Sequence, residues 1–308
     1  MTLQQLEYIV ALDKFRHFIR AAEFCNVTQS TLSSMTQKLE DELDIIIFDR
    51  TRHPIFPTEM GQKVISQARI VLADAERIKE MILTEQQQEK GKVSIGVIPT
   101  VAPYILPKLF NILKKDYPKI SVKASEAMTS TLVRKLELSE IDMALMATPI
   151  ENENLFEIPV YYEKFLAYIS SEEAISSLKE IDANKMPTEH MWLLQEGHCL
   201  RNQVLNICNR KSENRTIYEA GSIDTLIKIV DTNGGYTIIP ELHKSFLSSL
   251  QLSRIRKIIN PEPVREISLV IRKDYVKERL LNIISESIQK IIPEPMIDSR
   301  LRKFAIRL

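Results

Sequence analysis

Apolar residues recur at helical spacing from the start of the chain. Leu3, Leu6, Ile9, Val10 and Leu12 share a face, and a second short apolar segment runs from Phe18 to Cys25. Asn26-Val27 breaks the pattern. Thr28 then offers a hydroxyl that can accept an orphan N–H of the first turn, capping a helix that continues through Leu32, Met35 and Leu39. Two short helices, the first small on its inner face at Ala21, Ala22 and Cys25, form a helix-turn-helix pattern. Topology alone fits an ordinary helical hairpin equally well. Ile45-Ile46-Ile47-Phe48 followed by Arg50-Thr51-Arg52-His53-Pro54 reads as a short strand and a basic loop, the outline of a wing. From Thr58 to about Glu89 the pattern is helical again. Val64, Ala68, Val71, Ala75, Ile78 and Ile82 alternate at spacings of four and three, a seam that predicts a dimerisation rod.

Lys90-Gly91 marks a boundary, after which strand-like and helical runs alternate. The strands are expected at Val93–Ile98, Ile120–Glu126, Met143–Met146, Phe165–Ile169, Trp192–Leu194, Tyr236–Ile239 and Ile267–Ile271. Helices are expected near 104–115, 130–138, 200–209, 223–232 and 275–291. Such alternation predicts an α/β domain with parallel sheets. Two extended crossings, around 160–165 and 262–266, predict two subdomains joined by a double hinge. The expected organisation is therefore a head over 1–58, a linker helix over 59–89 and a regulatory region over 90–308. Within the last, subdomain I spans about 92–162 and 265–308, and subdomain II about 163–264.

Composition narrows the class. In 308 residues, 44% hydrophobic and 27% charged content excludes a disordered chain, and three cysteines exclude a disulfide-stapled scaffold. The N-terminus lacks the basic and apolar blocks of a signal peptide, and no apolar run approaches the ~20 residues of a membrane span. A cytoplasmic protein without membrane attachment is expected. Charge complicates a nucleic-acid reading. The whole chain is balanced at +0, and residues 1–58 hold six basic side chains against eight acidic ones, a net of −2. DNA binding by such a head must come from oriented contacts and several heads per oligomer, not from a bulk field.

Specific segments nevertheless carry a resemblance. Met1-Thr2-Leu3-Gln4-Gln5-Leu6-Glu7-Tyr8, Arg20-Ala21-Ala22-Glu23, Val27-Thr28-Gln29-Ser30-Thr31-Leu32-Ser33, Leu39-Glu40-Asp41-Glu42-Leu43, Phe48-Asp49-Arg50-Thr51 and Thr58-Glu59-Met60-Gly61 resemble the DNA-binding domain of LysR-type transcriptional regulators. The resemblance implies a winged helix-turn-helix head, a linker helix and a two-subdomain α/β sensor like type 2 periplasmic binding proteins. Asp44 departs from the glycine usual in the family, and Ser30 from its frequent proline. In such a head the recognition helix enters the major groove by its N-terminal face. Gln29 would pair with adenine, with Thr28, Ser30, Thr31 and Ser33 close to the DNA. Arg50, Arg52 and His53 of the wing would meet phosphates or the minor groove. Arg50 has a rival role as the partner of Asp49 or of a neighbouring helix, which makes Arg52 the stronger DNA contact.

The sharper chemical clue is Gly197-His198-Cys199-Leu200-Arg201-Asn202-Gln203, followed by Val204-Leu205-Asn206-Ile207-Cys208. Leu200, Val204, Leu205 and Cys208 share a helical face. Cys199 then sits at a helix N-terminus, where the dipole favours a thiolate, with His198 and Arg201 as adjacent cationic or donor groups. This constellation resembles the peroxide-sensing branch of the LysR family. The resemblance implies that Cys199 reacts with hydrogen peroxide and that Cys208 resolves it to a disulfide. It also implies that Thr100 and Thr129 hold the peroxide and that Arg265 lowers the cysteine's pKa. Both threonines also read as helix caps. Nine residues of helix separate two Cα atoms by roughly 13 Å, whereas a disulfide needs about 5.5 Å, so pairing Cys199 with Cys208 requires the helix to unwind.

The resemblance further implies double-stranded promoter DNA, RNA polymerase, other copies of the chain and a thiol–disulfide reductant as partners. It implies a regulator and not an enzyme, with no cofactor. A regulator answering to a small-molecule inducer in the sensor cleft, with incidental cysteines, is the alternative reading. Cys25 reads as a core residue. His17, His190 and His243 show no partner pattern, no metal-ligand spacing stands out, and the basic end at Arg300, Arg302, Lys303 and Arg307 receives no role.

Overall fold

The computed structural model describes residues 1–51, 53–85, 90–187, 190–207, 220–275 and 277–297. Contacts divide the chain into two compact units, Met1–Gln88 with Leu138–Glu140 and Glu89–Glu137 with Ile141–Leu308.

In the first unit, helix α1 (Leu3–Phe15) starts at Thr2, whose hydroxyl accepts the Gln5 N–H while the Gln5 side chain returns the bond. Helix α2 is Phe18–Phe24, and α3 is Gln29–Leu43. Thr28 caps α3 by accepting the Thr31 N–H at 3.2 Å. Asp44 takes the left-handed conformation at the end of α3 (φ 52), the position for which the family favours glycine. Leu6, Ile9, Leu12, Ala21, Ala22, Leu32, Leu39, Ile47 and Phe48 form the core of the unit. Cys25 is only half-buried at its edge, so it is less a core residue than expected.

Strands β1 (Phe48–Asp49) and β2 (Phe56–Pro57) pair antiparallel around the wing loop. Helix α4 (Glu59–Glu85) follows. Thr58 accepts the Gly61 N–H at 2.9 Å and donates its own hydroxyl to the Ile46 carbonyl at 2.7 Å. Gly61 is required by this close approach, because a Cβ there would lie 2.0 Å from the Ile47 carbonyl oxygen.

The α4 seam does not act as one stripe. Ala68 is buried in the core of its own head, and Val64 and Val71 pack against it. Ala68 leaves no surface for a dimer seam, a correction to its assignment there, whereas Val64 and Val71 are half-buried: the three-helix head is too small to close without α4. Ala75 is half-buried, while Ile78 and Ile82 are 65% and 53% exposed.

The second unit is built on an eight-stranded sheet. Strands β3 (Gly91–Val97), β4 (Ile120–Glu126) and β5 (Met143–Thr148) are parallel, linked through α5 (Ala102–Asp116) and α6 (Thr129–Glu137). Strand β6 (Leu155–Ile169) then runs through both subdomains. The second subdomain adds β7 (Glu180–Asp182), α7 (Cys199–Ile207), α8 (Ile223–Asn233) and β8 (Tyr236–Pro240). A 3₁₀ turn (Glu241–Phe246), α9 (Ser249–Leu252) and β9 (Ile255–Ile259) complete it. Strand β10 (Val264–Arg272) returns the chain to the first subdomain, which α10 (Glu278–Gln289) covers.

The sheet is mixed where parallel pairing was expected. Strand β10 is antiparallel to β5 and β6, and β6 is antiparallel to β8 and β9. The reason is the pair of crossings. A chain that leaves a subdomain along β6 and returns along β10 must run the two in opposite directions. Trp192–Leu194 forms no strand of its own, only single bridges from Met191 to Tyr236 and from Leu194 to Ala220. Each subdomain has its own apolar core, one around β3, β5, α5 and α10, the other around β8, α7 and α8.

Candidate functional site

Cys199 is the first residue of α7, reached through Gly197, whose φ of +96° turns the chain where an L side chain would be strained. It is 8% exposed and packs in the core of the first subdomain, whereas its neighbours Leu200 and Val204 pack in the core of the second. Burial pushes its thiol above the ordinary value. The positive charge of Arg265, the Thr129 hydroxyl and the N–H groups of Leu200 and Cys199 pull the other way. Burial thus outweighs the local groups that favour the thiolate, among them the Arg265 charge, which acts in the direction expected of it.

Arg265 is fully buried on β10. Its Nη2 lies 2.7 Å from Glu163 Oε2, its Nε donates to the same carboxylate at 2.9 Å, and Nη1 donates to Thr100 Oγ1 at 3.0 Å. Nη2 also donates to the Thr100 carbonyl at 3.1 Å. Thr100 therefore does not cap α5, which begins after Val101 without a side-chain cap. Its hydroxyl oxygen instead accepts from Arg265. Thr129 is the first residue of α6, and its buried hydroxyl acts on the Cys199 thiol rather than on a backbone N–H of the helix, so it too caps nothing.

His198 is buried, and burial lowers its pKa; its Nε2 has no partner among the described residues. Of the two roles expected, cation or donor, burial favours the neutral one. The Arg201 Nη1 donates to the Leu194 carbonyl at 2.9 Å, which fastens α7 to the preceding loop. A cavity of about 230 Å³ opens beside these groups, lined in part by Thr100, Tyr104, His198, Asp224, His243 and Phe246. Cys208, the proposed second cysteine, lies outside the described residues.

Three members of this site were missed in the sequence. Glu163 faces Arg265 across paired strands and accepts the Leu242 N–H at 2.8 Å. Tyr104 and His243, which had shown no partner pattern, share a hydrogen bond of 2.8 Å between hydroxyl and Nδ1. A charged residue inside the apolar run Val160–Ile169 was the available signal for Glu163. Nothing local marks a contact between residues 104 and 243.

On the head, Thr28, Gln29, Ser30 and Thr31 are exposed at the start of α3, and Ser33 is half-buried. Thr28 Oγ1 lies 2.9 Å from Ser30 Oγ and 2.8 Å from Thr31 Oγ1, so three hydroxyls are pre-ordered around one cap. His53 is exposed, and Arg52 lies outside the described residues. Arg50 takes the neighbouring-helix partner that was its rival role: its Nη2 is 2.6 Å from Glu40 Oε2 on α3, and Glu40 also accepts the Ile47 and Phe48 N–H groups. A nearly buried carboxylate that organises the approach to the wing requires a counter-charge, and Arg50 supplies it.

Comparison with known proteins agrees with both units. The family described as bacterial regulatory helix-turn-helix protein, lysR family, matches residues 3–62, and the LysR substrate binding domain matches residues 86–288. The hydrogen peroxide-inducible genes activator of Haemophilus influenzae is 36% identical over 299 residues, covering 95% of this chain and 99% of that protein. The DNA-binding transcriptional dual regulator OxyR of Escherichia coli K12 is 34% identical over 273 residues, 88% of this chain and 90% of that one. Among solved structures, a full-length OxyR of Pseudomonas aeruginosa with a cysteine-to-aspartate replacement superposes with a TM-score of 0.80 at 30% identity, covering 94% and 98% of the two chains. The chain belongs to the LysR family of transcriptional regulators, in its OxyR branch.

Proposed function

We propose that this regulator senses hydrogen peroxide at Cys199 and transmits the oxidation to its DNA-binding heads. The observation that carries the reading is the placement of Cys199 at the head of α7, buried between two cores, with Arg265, Thr129, Thr100 and His198 around it. The Cys199 thiolate attacks one peroxide oxygen. The S–O bond forms as the O–O bond breaks, and the departing hydroxide takes a proton to become water, leaving a sulfenic acid. The Cys208 thiolate then attacks the Cys199 sulfur and expels the second oxygen, which leaves as water once protonated. Two electrons pass from the thiols to peroxide. A cellular thiol reductant returns the disulfide to thiols.

Closing that disulfide removes the helical spacing between residues 199 and 208, so α7 unwinds and the sensor surface changes. Gln29 reads bases, Thr28, Ser30, Thr31 and Ser33 lie close to the DNA, and His53 with Arg52 steadies the wing on the backbone of promoter DNA. Ile78 and Ile82, exposed on α4, pack against another copy of the chain. The protein acts in the cytoplasm, contacts RNA polymerase when active, and regulates without catalysing turnover.

The test is peptide mass mapping of the purified chain under non-reducing conditions after micromolar peroxide, alongside footprinting on its own upstream DNA. A Cys199–Cys208 linkage and a changed footprint are expected. A Cys199→Ser variant that still switches its promoter in response to peroxide would defeat the reading and favour an inducer in the cleft.

A further inference from the structure

The charge of Arg265 does not act on Cys199 alone. Glu163 and Arg265 are register partners on the antiparallel strands β6 and β10, and both side chains are fully buried. Two nitrogens of the guanidinium are held on Glu163 Oε2, at 2.7 and 2.9 Å, and the other carboxylate oxygen is fixed by the Leu242 N–H. The carboxylate thus binds the 3₁₀ turn of the second subdomain on one side and, through Arg265, the Thr100 loop of the first on the other. Further titratable and charged groups act on this pair from the surrounding elements: Tyr161 on the same strand, Tyr104 on α5 and Glu241 on the turn. Of these, none is a second cation near Arg265. Glu163 is therefore the counter-ion of the arginine whose field reaches the sulfur.

We propose that Glu163 is the positioning residue that restrains Cys199, neutralising Arg265 and holding its guanidinium on the hinge so that only part of its charge serves the sulfur. This rests on the peroxide-sensing reading for its biological meaning, but its chemistry concerns the thiol alone. The consequence is a cysteine kept quiet in the resting state. The same carboxylate that holds the Thr100 loop in place limits how readily the thiolate forms. Any movement of the hinge that draws Glu163 away from Arg265 releases charge toward Cys199, which couples the posture of the two subdomains to the reactivity between them.

The experiment uses the full chain and iodoacetamide as probe, following alkylation of the peptide containing Cys199 by mass spectrometry across pH. Glu163→Gln keeps the shape and the acceptor for Leu242 but removes the charge. The midpoint of the alkylation profile is expected to fall by about one pH unit, raising the rate at neutral pH by about tenfold. Glu163→Asp, which keeps the charge one methylene further away, should shift the profile less in the same direction. Adding Arg265→Gln to Glu163→Gln should return the midpoint to the parental value or above.

A rise in rate that is equal at every pH, with the midpoint unmoved, would mean that the substitution merely opens the pocket, and would overturn the proposal. So would an unshifted profile in folded Glu163→Gln or, if that variant does not fold, in Glu163→Asp. Peroxide oxidation of the parent chain is measured in parallel. If it fails, the sensor reading falls while the thiol titration still decides the role of Glu163.

Discussion

Arg265 and Glu163 meet 2.7 Å apart, each without solvent exposure, at the point where β6 and β10 carry the chain between subdomains. Removing one partner leaves the other charge buried without compensation, which costs roughly 3–5 kcal/mol, whereas replacing both is far milder. Arg265→Gln is therefore expected to lower the urea midpoint of the sensor unit strongly, and the double replacement Arg265→Gln with Glu163→Gln to recover most of the loss. Equal stability of single and double variants would contradict a paired charge.

Acid should weaken the fold through two histidines. Burial lowers the pKa of His198 and of His243, so both are neutral in the folded chain where an unfolded chain would titrate near 6.5. Between the two values the unfolded state binds more protons, and stability falls as pH falls. Melting temperature should drop from pH 7 toward pH 5.5, and His243→Gln should flatten part of that slope. A melting temperature that is constant over this range would contradict the assignment.

Tyr104→Phe removes the hydroxyl that meets His243 Nδ1 and nothing of the ring, which also packs on Phe246. A loss of about 1 kcal/mol is expected by denaturant titration. Losses near zero would mean that water replaces the bond.

Gly61→Ala tests the entry to α4. Its Cβ would overlap the Ile47 carbonyl, which is backbone and cannot swing away. A destabilisation of about 1–3 kcal/mol of the head is expected, with weaker DNA binding as its sequel, measured by thermal melting and gel shift.

The start of α3 separates structure from readout. Thr28→Ala loses the cap and should destabilise the head by about 1 kcal/mol. Gln29→Ala touches no core residue and should leave melting unchanged while altering the footprint. Identical footprints for Gln29→Ala and the parent would remove this residue from base recognition.

Periodicity made the helices and much of the sheet legible, because apolar residues at spacings of three and four must share a face whatever lies opposite. It failed where the partner decided the outcome. The seam of α4 has one spacing along its length, yet Ala68 closes the head and Ile78 faces out. The polarity of β10 depends on the return crossing and leaves no mark in its residues. The motif around Cys199 pointed to the groups that favour its thiolate, but not to the burial that opposes them. Helix position was visible in the sequence, while the burial that raises the thiol and the Glu163 carboxylate that holds Arg265 come from segments far along the chain.

Residues 199 and 200 are covalent neighbours that belong to different cores: the sulfur sits with the first subdomain and the leucine with the second. The backbone between them is a seam stitched through both halves of the sensor. Chemistry that pulls the sulfur toward a new partner cannot stay a local event, because it withdraws a filling side chain from one body while dragging on the helix that seals the other. On the proposed sensing chemistry, a change of two electrons at one atom would be converted into a change in how two bodies adhere, and the cohesion of the sensor itself would become the message.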